Sequence, residues 1–208
     1  MTYQIALLIH IISGFTALTC GLFAIIAPKG GRLHLISGKI YFIAMLLVSF
    51  SAVFISLLKH NSFLLHIGIF AFFMVYSGYR SIKNKSLKPM LLDWIVLFLG
   101  LANAVLMLIS LKTILMVFGL IGVYLSLSDF RLFVLATGNK EMPKNQWLIR
   151  HIGMMLGAYI STFTAFLVVN IQSENYAYLI WLMPTFIGTP LIVFWTMKYT
   201  RKTKSIHV

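Results

Sequence analysis

Six histidines set in a strongly apolar chain of 208 residues are the side chains with the widest chemical reach. His10, His34, His66 and His151 each fall near the beginning of a long apolar stretch, whereas His60 sits in a short connection and His207 in the tail. At a helix start the positive end of the helix dipole opposes a cation and favours neutral imidazole. Neutral imidazole is the form that ligates iron or zinc, and ionisable groups inside membrane spans are rare and usually functional. A short internal echo adds to this: His10 opens His-Ile-Ile-Ser-Gly and His34 opens His-Leu-Ile-Ser-Gly. Residues four apart on a helix share a face, so Gly14 and Gly38 each clear space beside an imidazole. A flat macrocycle bound edge-on between helices needs such clearance. Gly68 follows His66, and Gly153 and Gly157 follow His151, at less regular spacing.

The elements that must carry these histidines are membrane spans. Apolar runs cover Tyr3 to Ala27, Leu33 to Leu58, Phe63 to Ser81, Met90 to Leu111, Thr113 to Thr137, Trp147 to Ile171 and Tyr176 to Met197. Each supplies the ~20 residues that cross about 30 Å of hydrocarbon. The expected fold is therefore all-α, an integral membrane bundle of seven transmembrane helices in one domain, joined mostly by short loops. Fifteen of the seventeen Lys and Arg residues fall after the first, third and fifth runs or in the tail, and only Lys59 and Lys112 lie in the other gaps. The positive-inside bias then puts the N-terminus outside and the C-terminus in the cytoplasm, in what we expect to be a bacterial cytoplasmic membrane.

A formal net charge of +13 does not point to nucleic acid here. The basic residues sit in juxtamembrane loops, where anionic lipid headgroups are the natural partners. The first run has no basic leader and is expected to be a retained span. Cys20 is the only cysteine, which excludes an intrachain disulfide framework. Tyr3, Tyr176, Tyr178 and Trp181 are expected to line the outer interface, and Tyr79, Trp94, Trp147, Trp195 and Tyr199 the inner one. Gly153, Gly157 and Ser161 form a small-residue stripe suited to close helix packing. Pro184 and Pro190 should kink or locally unwind the seventh span.

This topology sorts the four histidines by depth. His10 and His66 lie roughly 5–10 Å below the outer surface, and His34 and His151 near the inner one. Three chemistries fit. In the first, His10 with His66 and His34 with His151 hold two b-type haems that pass electrons across or at the membrane, with an unidentified redox partner. Arg32, Lys39, Arg80, Arg131 and Arg150 would meet the inner propionates, while the outer side offers only Lys59 and Lys112. In the second, His34 and His151 with Asp129 or Asp93 hold a zinc ion in a hydrolase facing the cytoplasm. Asp93 also suits a helix start, and Asp129 also suits an ion pair with Arg80, Arg131 or Arg150. The third is a transporter using the broken seventh span, Asn103 and the histidines as a relay; a non-catalytic accessory role stands beside it.

The segments His10 to Gly14, Lys29-Gly30-Gly31-Arg32-Leu33-His34 through Gly38-Lys39-Ile40-Tyr41, and His151 through Tyr159 to Phe166 resemble a family of bacterial predicted membrane proteins named as domain of unknown function 2306. The resemblance covers most of the chain and implies the membrane fold without an activity. The family pattern often has Arg after the inner-loop histidine, where this chain has Leu35. A looser, architectural likeness joins the chain to cytochrome b561-type di-haem proteins, in which one helix commonly supplies ligands at both depths; no helix does so here. Seven-helix hydrolases of the ceramidase and progestin-receptor type carry paired histidines on the last helix, and these are absent.

Overall fold

The computed structural model describes residues 1–138, 140, 142, 144–171 and 176–204, the side chains of 200–204 excepted. His207 and the side chains of Arg201, Lys202 and Lys204 therefore lie outside the described residues. Among the described residues the chain forms seven helices and no strand: α1 Thr2–Ile26, α2 Arg32–Leu58, α3 Ser62–Lys83, α4 Leu91–Ile109, α5 Thr113–Thr137, α6 Gln146–Asn170 and α7 Ala177–Lys204. All seven are long and apolar enough to cross a membrane. In hydrocarbon every backbone polar group must be satisfied within the segment, and a continuous helix is how a single apolar run does this.

Short connections join α1 to α2, α2 to α3 and α4 to α5, and each of these pairs packs together. At the turn between α1 and α2, Gly30 takes a left-handed φ of 79°, a conformation that costs glycine little, and the Gly31 amide donates to the Pro28 carbonyl at 3.0 Å. Asn61 caps α3, its side-chain oxygen accepting from the Leu64 amide at 3.0 Å. Asp93 closes the first turn of α4 by accepting from the Met90 amide at 2.8 Å, which satisfies one of the orphan donors of a helix start.

Helix α3 is the hub. It packs against α2, α4 and α6, and α6 packs in turn against α1 and α7. Because α2 also packs on α1, the four helices α1, α2, α3 and α6 close a ring, with α2 and α6 at opposite corners. The α4–α5 hairpin leans on the far side of α3, and α7 covers α6. Tyr41, Met45, Met74 and Met154 belong to the buried core of the ring helices, while Phe70 and Phe73 face Gly122 of α5 and Gly100 of α4 on the other side of α3. In lipid such helices associate through close packing more than through a hydrophobic drive, and the glycines mark where backbones come nearest. Gly78 of α3 sits under Met155 of α6, and Gly157 of α6 faces the Met74 sulfur at 3.0 Å from where a Cβ would lie. Gly153 meets nothing within 4 Å, so the expected packing stripe on α6 is used at Gly157 and at Ser161, which is buried, and not at Gly153.

Helix α7 stays helical through Pro184 and Pro190, without the local unwinding that is one of the two expected outcomes there, because a proline removes one donor and a transmembrane helix tolerates the freed carbonyl when its neighbours hold it. Near the start of α7, the Trp181 ring packs edge-on against Phe63 and Phe118, with centroids 5.0 and 6.3 Å away. On the α6 side of α7, a Cβ on Gly188 would lie 2.2 Å from Ile160 Cδ1 and 2.6 Å from Cγ1. Gly188→Ala should therefore destabilise the bundle by about 1–3 kcal/mol, the usual cost of overpacking, read as a lower thermal midpoint in detergent.

Candidate functional site

The four histidines share one local device. His34 Nδ1 donates to the Ala24 carbonyl at 2.8 Å and His151 Nδ1 to the Gly78 carbonyl at 2.9 Å. A carbonyl only accepts, so the proton is on Nδ1 and the Nε2 lone pair of a neutral ring is left for a ligand. This is how second-shell bonds orient a metal-binding imidazole. His10 donates to Ser51 Oγ at 2.9 Å, whose own proton goes to the Leu47 carbonyl. His66 donates to Asn103 Oδ1 at 2.8 Å while Asn103 Nδ2 returns a bond to the His66 carbonyl at 3.0 Å.

What separates the pairs is the space around them. His34 on α2 and His151 on α6, from opposite corners of the helix ring, line one cavity of about 640 Å³, within the range of small-molecule and cofactor sites. Gly38, one turn on from His34, is also in its wall, and a Cβ there would meet nothing within 4 Å. The clearance expected beside this imidazole is present. Tyr41 and Tyr159 line the cavity as well, their rings 6.3 Å apart and their hydroxyls bonded to the Met155 and Leu18 carbonyls at 3.4 and 3.3 Å. Gly21 makes room for Tyr159, whose ring would stand 2.5 Å from a Cβ at that position.

His10 bonds to Ser51 of α2 and His66 to Asn103 of α4. Gly14, like Gly38, has open space beside it, yet neither outer histidine lines the large cavity or the apolar groove between α1 and α2 formed by Ile9, Ile12, Ile40 and Ile43. Nor are His34, His151 and Asp129 assembled. Arg150 donates from Nε and Nη2 to the two Asp129 oxygens, both at 2.6 Å, and Asp129 is 1% exposed. Asp93 is likewise occupied, accepting from Arg80 Nε and the Tyr76 hydroxyl, each at 2.9 Å. Among the described residues no group of three His, Cys, Asp or Glu side chains is arranged to hold a metal ion.

These pairs also remove Arg80 and Arg150 from the cations expected to face the cavity, and Arg32 and Arg131 do not line it. Among the described residues the cations that do are Lys29, Lys39, Lys83 and Lys85. Three of them rest over aromatic rings of the same cavity: Lys29 Nζ lies 5.1 Å from the Trp195 centroid, Lys83 5.6 Å from Tyr79 and Lys85 4.8 Å from Trp147, within reach of a cation–π contact. Lys29 also donates to the Ala24 carbonyl at 3.1 Å and to Ile25 O, and partial burial pulls its ammonium below the usual lysine range. Sequence reasoning assigned Tyr79, Trp147, Trp195 and Tyr199 to an interfacial belt; all four line this cavity.

The sequence profile of a predicted membrane protein family, DUF2306, matches residues 7–121. The chain belongs to that family. The matched stretch holds the DUF2306 helices α1 to α4 with His10, His34 and His66, and stops before α6, so His151 and the Trp147 wall lie beyond it. With seven membrane-length helices, this DUF2306 member is a multi-pass membrane protein. No curated protein and no solved structure matches the chain, and the looser likeness to cytochrome b561-type proteins finds no support there.

Proposed function

We propose that the protein holds one b-type haem between His34 and His151 and carries electrons at one face of the membrane. The carrying observation is that two imidazoles from opposite helices of the ring, each with Nδ1 tied to a backbone carbonyl, line the same cavity. Three features support a flat ligand: Gly38 leaves the wall beside His34 open, Tyr41 and Tyr159 line the cavity with aromatic rings, and four lysines in its wall would partner carboxylates. Haem supplies reversible one-electron chemistry, and its potential follows axial ligation, burial and ligand hydrogen bonds. The chain's part is to fix both Nε2 lone pairs through the Ala24 and Gly78 carbonyls and to keep water from the ring faces.

The basic end of the bundle carries this site, so the positive-inside bias faces it to the cytoplasm of a bacterial cell, with the N-terminus outside. A single site at that face makes electron transfer at the membrane the reading, in place of transfer across it through a second, outer haem.

The test is the absorption spectrum of protein purified in mild detergent after haem-sufficient expression, oxidised and then dithionite-reduced, with iron analysis. We expect a sharpened reduced α band and one iron per chain. His34→Ala and His151→Ala should each abolish the six-coordinate spectrum, and His10→Ala and His66→Ala should leave it intact. A colourless native protein, or equal loss from all four variants, sinks the proposal.

A further inference from the structure

The cavity's lysines form two groups. Lys29 and Lys39 come from the α1–α2 turn and the first turns of α2, and Lys83 and Lys85 from the end of α3 and the residues just after it. None of the described residues lining the cavity is acidic. This differs from the two arginines of the same end that do have carboxylates, Arg80 with Asp93 and Arg150 with Asp129. Three of the four ammonium groups instead rest against aromatic faces. A cation held on a ring face can transfer to an anion, because a charge-assisted bond to a carboxylate is stronger than a contact with an aromatic face; Lys29 would in addition exchange its bonds to the Ala24 and Ile25 carbonyls.

From this juxtaposition we infer that the site selects a planar ligand bearing two carboxylates on one edge, the Lys29/Lys39 pair taking one and the Lys83/Lys85 pair the other. The inference rests on the haem reading for the ring plane and adds the chemistry that recognises the edge. It also gives the ligand a direction: apolar edge inward against Tyr41 and Tyr159, anionic edge outward at the mouth. Binding moves Lys29 off Trp195 and Lys85 off Trp147, so the two indoles report occupancy.

The probe is metal-free protoporphyrin IX, which has both carboxylates and no iron for histidine to ligate, set against its dimethyl ester. Both are titrated into the full chain in phosphatidylcholine nanodiscs and followed by porphyrin and tryptophan fluorescence. We expect the diacid to bind at least roughly tenfold more tightly than the ester, a difference of about 1.4 kcal/mol. The K29Q/K39Q and K83Q/K85Q variants should each remove most of that advantage while leaving ester binding and helix content unchanged. Equal affinity for diacid and ester in the native chain overturns the inference. So does loss of the diacid when phosphatidylglycerol replaces part of the phosphatidylcholine, which would assign the lysines to lipid headgroups. Failure of the haem reading is a separate result: a diacid preference retained in a protein whose haemin complex lacks the two-histidine spectrum leaves the lysine clamp standing and removes the axial ligands.

Discussion

Asp129→Ala should lower the stability of the bundle by about 3–5 kcal/mol, the scale for stranding one member of a buried ion pair. Arg150 and Asp129 have side chains 5% and 2% exposed, so neither charge has water to fall back on once its partner is gone. Arg150 is also spent elsewhere: its Nη1 donates to the Ser77 carbonyl and to Ser81 Oγ, both at 2.9 Å, and its guanidinium lies 5.3 Å from the Phe133 ring. It cannot swing out to solvent without breaking the tie between α6 and α3. Asp93→Ala should cost less, because Arg80 is 20% exposed and can reach the surface. Replacing Asp129 and Arg150 together by Leu and Met should recover much of the loss, since a pair removed whole leaves no bare charge.

The same substitution reaches the cavity although Asp129 does not line it. Arg150 binds the Ser77 carbonyl and His151 binds the next one, Gly78. The pair therefore sets the register of α6 on α3 and, through it, the orientation of the His151 ring. Thermal unfolding in detergent measures the first effect, and the haem spectrum of the fraction still folded measures the second. An Asp129→Ala protein as stable as the native one would show that this pair does not hold α6.

Much of the fold is legible because membrane length and hydropathy are blunt constraints. The apolar runs mark every helix, and the fifth agrees with its run at both ends. The largest difference is α7, whose run stops at Met197 while the helix continues to Lys204: hydropathy ends where lipid would end, but backbone hydrogen bonds do not. The candidate site divides along another line. Depth along a span was readable and placed His34 with His151, but rotation about the helix axis and the identity of the neighbour were not, and these send His10 to Ser51 and His66 to Asn103. Three arginines were equally eligible for Asp129, and only packing chooses Arg150. A signal for the rest of the wall was present and unused. His34, Gly38 and Tyr41 are spaced 4 and 3 apart on α2, and Trp147, His151, Met155 and Tyr159 are spaced 4 apart on α6, so each histidine names its stripe; the lysines follow no single stripe, because Lys39 and Lys83 come from two different helices and Lys29 and Lys85 from loops.

Gly38→Leu is expected to abolish the chromophore while leaving the fold as stable as before or more so. The position is in a helix interior, where glycine is about 1 kcal/mol less favourable than alanine, so backbone propensity favours the change. Sterically the fold does not resist it, since a Cβ at Gly38 meets nothing within 4 Å. The space a leucine would fill is the cavity beside His34, where the proposed haem would lie. Two opposite signs from one substitution, lost binding and retained or raised thermal midpoint, separate a ligand site from a packing defect. Gly14→Leu is the matching control. It carries the same His-x-x-x-Gly context and the same open surroundings, but lies outside the cavity wall, so the spectrum should survive it. If both glycine variants keep the native spectrum, the wall at Gly38 is not where the ligand lies; if both lose it, the shared pentapeptide acts through helix packing and not through the cavity.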